Sequence, residues 1–183
     1  MSEDSKALVE RAQAGDRNAA SQLIESFYER IFAYLRRRCG NDDDAADLTQ
    51  RTFCKVWSSL PGYKQRATFN TWIHSIAHHV YVDWRRVNNR LDAQTDEWWQ
   101  ACAVEGPGPF ENTAERETAQ QLYHAVEQLS DEQRDVIHLH YYQSLSLQET
   151  ADALNVATGT VKYRLRNALD LLQLRLSNPQ LHA

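Results

Sequence analysis

The chain has 183 residues, enough for one ordinary domain or two small helix-rich ones. With 42% hydrophobic and 25% charged residues it is not a wholly disordered chain. A formal net charge of -5 excludes a uniformly basic nucleic-acid binder and turns attention to local charge.

No run approaches the roughly 18 apolar residues of a membrane span, and the polar start Met1 to Lys6 is unlike a secretory signal. A cytoplasmic protein without membrane insertion is the expectation. The three cysteines, Cys39, Cys54 and Cys102, show no CxxC spacing, so reduced thiols are expected, with Cys54 half-buried on a helix.

In chain order, Leu23, Phe27, Ile31 and Tyr34 recur at helical steps and predict a helix to about Arg38, stopped by Gly40-Asn41. A second helix from about Asp44 carries Ala45, Leu48, Thr52 and Val56 and breaks at Pro61-Gly62. The third, Phe69 to about Val87, is predicted to set Phe69, Trp72, Ile76, Val80 and Trp84 or Val87 on its core side. Lys64, Arg66, Arg85, Arg86 and Arg90 oppose the single acid Asp83 between Gly62 and Arg90, a basic patch on an acidic chain.

From Leu91 to about Asn112 the chain is acidic and carries Gly106-Pro107-Gly108-Pro109, which reads as a flexible linker, with Trp98 and Trp99 as anchors. Helix resumes near Thr113, with Leu122, Val126 and Leu129 on its apolar side. Ser130 to Gln133 and Ser146 to Glu149 each have the form of a capping box.

Residues 146–172 read as a helix-turn-helix. Leu147, Ala151 and Leu154 face inward, Asn155 takes the left-handed turn position, Val156 plugs the corner, and Val161 and Leu165 face inward from the second helix. Thr158, Thr160, Lys162, Tyr163, Arg164, Arg166 and Asn167 are left for phosphates and base edges of a major groove.

Three segments carry a family resemblance. Asp44 to Trp57 (DAADLTQRTFCKVW) resembles the polymerase-binding helix of bacterial RNA polymerase sigma factors of the extracytoplasmic-function class. Phe69 to Arg86 (FNTWIHSIAHHVYVDWRR) resembles the helix after it, and Gly159 to Arg164 (GTVKYR) the start of the promoter-reading helix. The resemblance implies an all-α chain: a bundle over residues 7–90 of the sigma region 2 type, a linker over 91–112, and a helix-turn-helix bundle over 113–176 of the region 4 type. It implies a non-enzymatic protein without cofactor, whose partners are core RNA polymerase, through its clamp helices and flap, and promoter DNA. An anti-sigma factor is a further expected partner.

Residue by residue, the resemblance assigns Asp47, Leu48, Gln50 and Phe53 to polymerase, with Thr49 and Thr52 on the same face. It assigns Tyr63, Lys64, Arg66, Asn70, His78, Arg85 and Arg86 to the minus-ten element, and the helix-turn-helix residues named above to the minus-thirty-five element. Arg51, Gln65, Tyr163 and Asn167 depart from the usual pattern, and an amide at 167 in place of a basic residue favours adenine over guanine.

Two other classes compete. His74, His78 and His79 could start a metal site, but no glutamate completes a metalloprotease motif and no third ligand stands at a diagnostic spacing, so none is expected. A stand-alone helix-turn-helix regulator would use residues 146–172 but has no role for Asp47 to Trp57.

Overall fold

The computed structural model describes residues 3–88 and 121–177, with side chains from Lys6 onward in the first stretch. The proposed linker with Trp98 and Trp99, Cys102, Arg90 and the helix start near Thr113 lie outside the described residues. All regular structure among the described residues is helical.

Helix α1, Glu3–Gln13, was not predicted; Gly15, at φ 93°, turns the chain out of it. Asp16 then caps α2, Arg17–Cys39, accepting from the Asn18 and Ala19 amides at 3.0 and 3.1 Å. These amide bonds, Ala19 first, and the Arg11 guanidinium at 2.6 Å hold the Asp16 carboxyl below its ordinary range. Gly40, at φ 85°, ends α2 where Gly40-Asn41 was expected to.

Asn41 opens α3, Asp42–Ser59, by accepting from the Asp44 amide at 2.8 Å, and Asp42, Asp43 and Asp44 fill its positive first turn. A 3-10 turn, Leu60–Gly62, leads through a loop to α4, Phe69–Asn88. Beyond the gap come residues 121–127, helical and here called α5, then α6, Asp131–Ile137, a π turn at His138–Tyr142, α7, Leu147–Leu154, and α8, Thr158–Ser177. Both capping boxes form, at Ser130/Gln133 and Ser146/Glu149.

The first core joins Leu23, Ile31, Tyr34 and Leu35 of α2 to Leu48 and Val56 of α3 and to Phe69, Ile73 and Ala77 of α4. The second gathers Val126, Leu129, Val136, Ala151, Val161, Leu165 and Leu172. The modules touch: Leu139, Leu145 and Ala153 belong to the first core although they lie in the second half of the chain.

That contact corrects the face predicted for α4. Its buried residues are Phe69, Thr71, Ile73, His74, Ala77, Val80 and Tyr81, whereas Trp72, Ile76 and Trp84 are half-buried and Val87 is 72% exposed. The helix is covered on two sides, by α2 and α3 and by α7, so no single stripe describes it.

Candidate functional site

Along α2 and α3 runs an open apolar groove lined by Ile24, Tyr28, Ala46, Asp47, Gln50, Phe53, Cys54 and Trp57. Tyr28 and Trp57 are 42% and 47% exposed, and Tyr28 stacks on Phe32 and Phe53 at centroid distances of 6.3 and 6.0 Å. Exposed aromatics at this density mark an interaction surface rather than a solvated face. Asp47 stands at the rim, paired with Arg51 at 2.8 Å, and Gln50 is exposed beside it.

Of the four residues assigned to polymerase, Asp47, Gln50 and Phe53 border the groove, and Leu48 does not. Leu48 is fully buried on the opposite side of α3. Thr49 and Thr52 are also fully buried, and the Thr52 hydroxyl donates to the Leu48 carbonyl at 2.7 Å, so neither borders the groove. Cys54, expected half-buried, is exposed in the groove. Ile24, Tyr28 and Trp57 were not singled out as contacts; the signal was Tyr28 lying four residues after Ile24, a second apolar face on α2.

In the loop before α4, Tyr63 is buried at 8% exposure, stacks on Trp72 at 4.6 Å and donates its hydroxyl to the Ala67 carbonyl at 2.6 Å. Tyr63, assigned to the minus-ten element, is thus packed within the loop, and burial pushes its phenol pKa up. Gln13 of α1 braces the same turn, donating to the Leu60 and Tyr63 carbonyls at 3.0 and 2.7 Å. Lys64, Gln65 and Arg66 remain at the exposed tip, with Gln65 at φ 54°.

On α4, Asn70 is half-buried and Arg86 exposed, while His78 and Arg85 are engaged by the second module. Arg85 pairs with Asp131, and His78 lies 3.7 Å from Asp135 and 3.4 Å from the Tyr34 hydroxyl. His74 is fully buried, its Nδ1 2.8 Å from the Asn70 carbonyl and its Nε2 3.3 Å from Gln143. Desolvation lowers the pKa of both His74 and His78. Among the described residues no three His, Cys, Asp or Glu side chains converge as metal ligands.

The second site is the helix-turn-helix of α7 and α8. Asn155 adopts the left-handed conformation at φ 53°, and the Val156 amide returns to the Ala151 carbonyl at 3.0 Å. Ala151, Val161 and Leu165 are buried between the helices. Lys162, Tyr163 and Arg166 are exposed, Tyr163 at 66%, while Thr160 and Asn167 are half-buried. Thr158 donates to Gln148 at 2.7 Å, tying the two helices together. Arg164 turns back to Glu132 at 3.0 Å, an ion pair that draws its guanidinium toward α6.

Residues 23–91 match the family described as Sigma-70 region 2, and residues 119–172 that described as Sigma-70, region 4. The chain is similar to the ECF RNA polymerase sigma factor SigW of Bacillus subtilis (strain 168), 25% identical, with 93% of this chain and 96% of that one covered. It is 31% identical to the ECF RNA polymerase sigma factor SigD of Mycobacterium bovis over 91% of this chain and 81% of that protein. Among solved structures, CnrH in complex with the cytosolic domain of CnrY shares the fold at a TM-score of 0.72 and 20% identity, covering 96% of this chain and 98% of that one. So does RpoE with the anti-sigma factor NepR from Bartonella quintana, at 0.68 and 22%, covering 86% and 96%.

Proposed function

Because this chain belongs to the extracytoplasmic-function class of bacterial RNA polymerase sigma factors, we propose that its α2–α3 groove is the surface that docks core polymerase. The division of labour along the chain belongs to the same reading: residues 7–90 join polymerase and open the minus-ten element, 91–112 connect, and 113–176 hold the minus-thirty-five element. The observation that carries it is the groove itself, an apolar surface with Tyr28 and Trp57 laid open beside Asp47 and Gln50. A stand-alone regulator has no use for such a surface.

The chemistry is binding rather than turnover. Lys64, Gln65 and Arg66 at the loop tip and Arg86 on α4 offer donors to an unpaired strand, and backbone contact with captured bases offsets the cost of unpairing. Lys162, Tyr163, Arg166 and Asn167 of α8 read the upstream element. CnrH and RpoE were each solved with a bound partner, which for RpoE is an anti-sigma factor; regulation of this chain by such a factor is part of the reading.

In vitro transcription over genomic fragments tests it. Core polymerase with this chain is expected to start at defined positions that core alone ignores, and the double variant Asp47→Ala/Trp57→Ala to lose both those starts and core binding. Defined starts that survive loss of the groove would overturn the docking assignment.

A further inference from the structure

The loop before α4, which the reading above gives to the unpaired strand, stands on two tied feet. The first is the turn where the chain leaves α3, Leu60 to Tyr63; Pro61 has no amide hydrogen to give there, so the carbonyls of the turn draw on other donors. The Tyr63 amide reaches the Leu60 carbonyl at 3.1 Å. Gln13 of α1 supplies the rest: its Nε2 donates to the Leu60 carbonyl at 3.0 Å and to the Tyr63 carbonyl at 2.7 Å, across 47 and 50 residues of chain. A carboxamide nitrogen carries two hydrogens, and both are spent on this turn. The second foot is Ala67, whose carbonyl accepts from the Tyr63 hydroxyl at 2.6 Å, with the tyrosine ring held against Trp72 and Phe69 at centroid distances of 4.6 and 5.8 Å.

Between the feet, Lys64, Gln65 and Arg66 are exposed, and Gln65 sits at φ 54°, a conformation that a residue with a side chain keeps only where its surroundings fix it. The brace is itself held. Val9 and Ala12 bury α1 in the first core, and Arg11 ties its last turn to Asp16, the cap of α2, at 2.6 Å. Yet α1 lies before residues 23–91, the stretch that matches region 2.

Resting on the sigma reading, we propose that Gln13 is a positioning residue for promoter opening: from α1 it fixes where the loop tip stands, so that Lys64, Gln65 and Arg66 meet the unpaired strand on an already ordered backbone. Ordering done before capture is not charged against binding, so more of the contact energy goes to holding the strand apart. Gln13 acts through the turn and touches no DNA. Glutamate at this position sets only oxygens against the two carbonyls, whereas methionine keeps the length of the side chain and removes the donors without adding charge.

The experiment uses the full chain with core polymerase, on a genomic fragment where the native chain directs a defined start, with 2-aminopurine in the segment that opens. Gln13→Met and Gln13→Glu are expected to bind core, and the duplex at a temperature too low for opening, as the native chain does. They are expected to open the duplex about tenfold more slowly, as a loop in its capturing arrangement about one-tenth of the time would. On a template already unpaired over that segment most of the defect should vanish, which a general loss of folded protein would not produce. Without polymerase, trypsin should cut both variants faster after Lys64 and Arg66, with cleavage after Lys55 of α3 unchanged. Native opening rates in a variant with a loosened loop, a loop no looser than the native one, or an equal defect on both templates would overturn the proposal. Should Gln13→Glu lose helix content, Gln13→Met is read alone by the same criteria. A native chain that directs no defined start overturns the sigma reading, and trypsin cleavage still decides whether Gln13 sets the loop.

Discussion

Trp57 and Leu48 sit on the same helix and face opposite ways, which makes them a matched pair for separating contact from support. Trp57 is 47% exposed on the groove and Leu48 is fully buried. Trp57→Ala removes an aromatic that stands 47% exposed among the described residues, so thermal stability is expected to hold while affinity for core polymerase falls at least about tenfold, in the range of interface hot spots. Leu48→Ala leaves a cavity costing about 3 kcal/mol, so it lowers the unfolding midpoint and leaves core affinity per folded molecule unchanged. Calorimetry and a core-binding titration on both variants check the assignment, which fails if Leu48→Ala weakens binding as much as Trp57→Ala does.

The two described cysteines extend the same logic. Burial pushes the Cys39 thiol up to about 11, whereas Cys54 lies open in the groove. Iodoacetamide is expected to label Cys54 and spare Cys39 in the folded chain, and core polymerase to protect Cys54. Labelling read by mass spectrometry that is equally fast with and without core would remove the groove from the interface.

At the scale of elements, the proposed reading gives promoter choice to α8, where Asn167 departs from the pattern that the family resemblance implies. Asn167 presents an amide, which pairs with the adenine edge, whereas a guanidinium takes guanine. Asn167→Arg is therefore expected to shift the preferred upstream base toward guanine, worth about 1–3 kcal/mol of discrimination for a good bidentate contact. Selection from a randomised upstream element with each form bound to core measures it, and identical selected sequences would take Asn167 out of base readout.

The helix-turn-helix was legible because its determinants are local: the capping box at Ser146 and Glu149, the left-handed Asn155 and the inward Val161 and Leu165 all lie within a short stretch. What was not legible depends on neighbours distant in sequence. The face of α4 was misread because α7 covers one side of it, placing His74 and Thr71 in the interior among polar partners that no apolar stripe announces. The packing of Tyr63 depends on Trp72 and Phe69, and on Gln13 of a helix that the sequence did not announce. Leu48 was read as a contact because the motif names a segment, and a segment of helix has an inner side.

At the scale of the whole molecule, the packing of the second module on the first is expected to depend on pH through the histidines between them. His138 is 1% exposed, both its ring nitrogens lack hydrogen-bond partners among the described residues, and desolvation first, then Arg38, Arg37 and Arg134, lowers its pKa well below the ordinary value. His74 is lowered by burial, with Arg30 acting the same way against the raising contacts of Asn70 and Gln143. For His78, burial together with Arg38 and His79 outweighs the raising effect of Asp135.

A proton binds less well to these rings in this closed form, with the modules in contact, than in an opened form with the modules apart, where the rings return toward the ordinary imidazole value of about 6.5. The closed form is therefore fully favoured above that value and loses ground as pH falls through it toward the lowered pKa values, because the opened form takes up more protons. The Arg38–Asp135 pair is there to hold the closed form, and the histidines weaken it from within on acidification. Scattering from pH 8 to 5.5 is expected to give a constant radius of gyration down to about pH 7 and an expansion below about 6.5, with helix content retained. His138→Phe, which keeps a ring in the same buried site without a proton to bind, should move the onset of expansion to lower pH. Expansion at the same pH in native and His138→Phe chains would assign the response to His74 and His78, and a native radius unchanged to pH 5.5 would show that opening is not linked to protons at the seam.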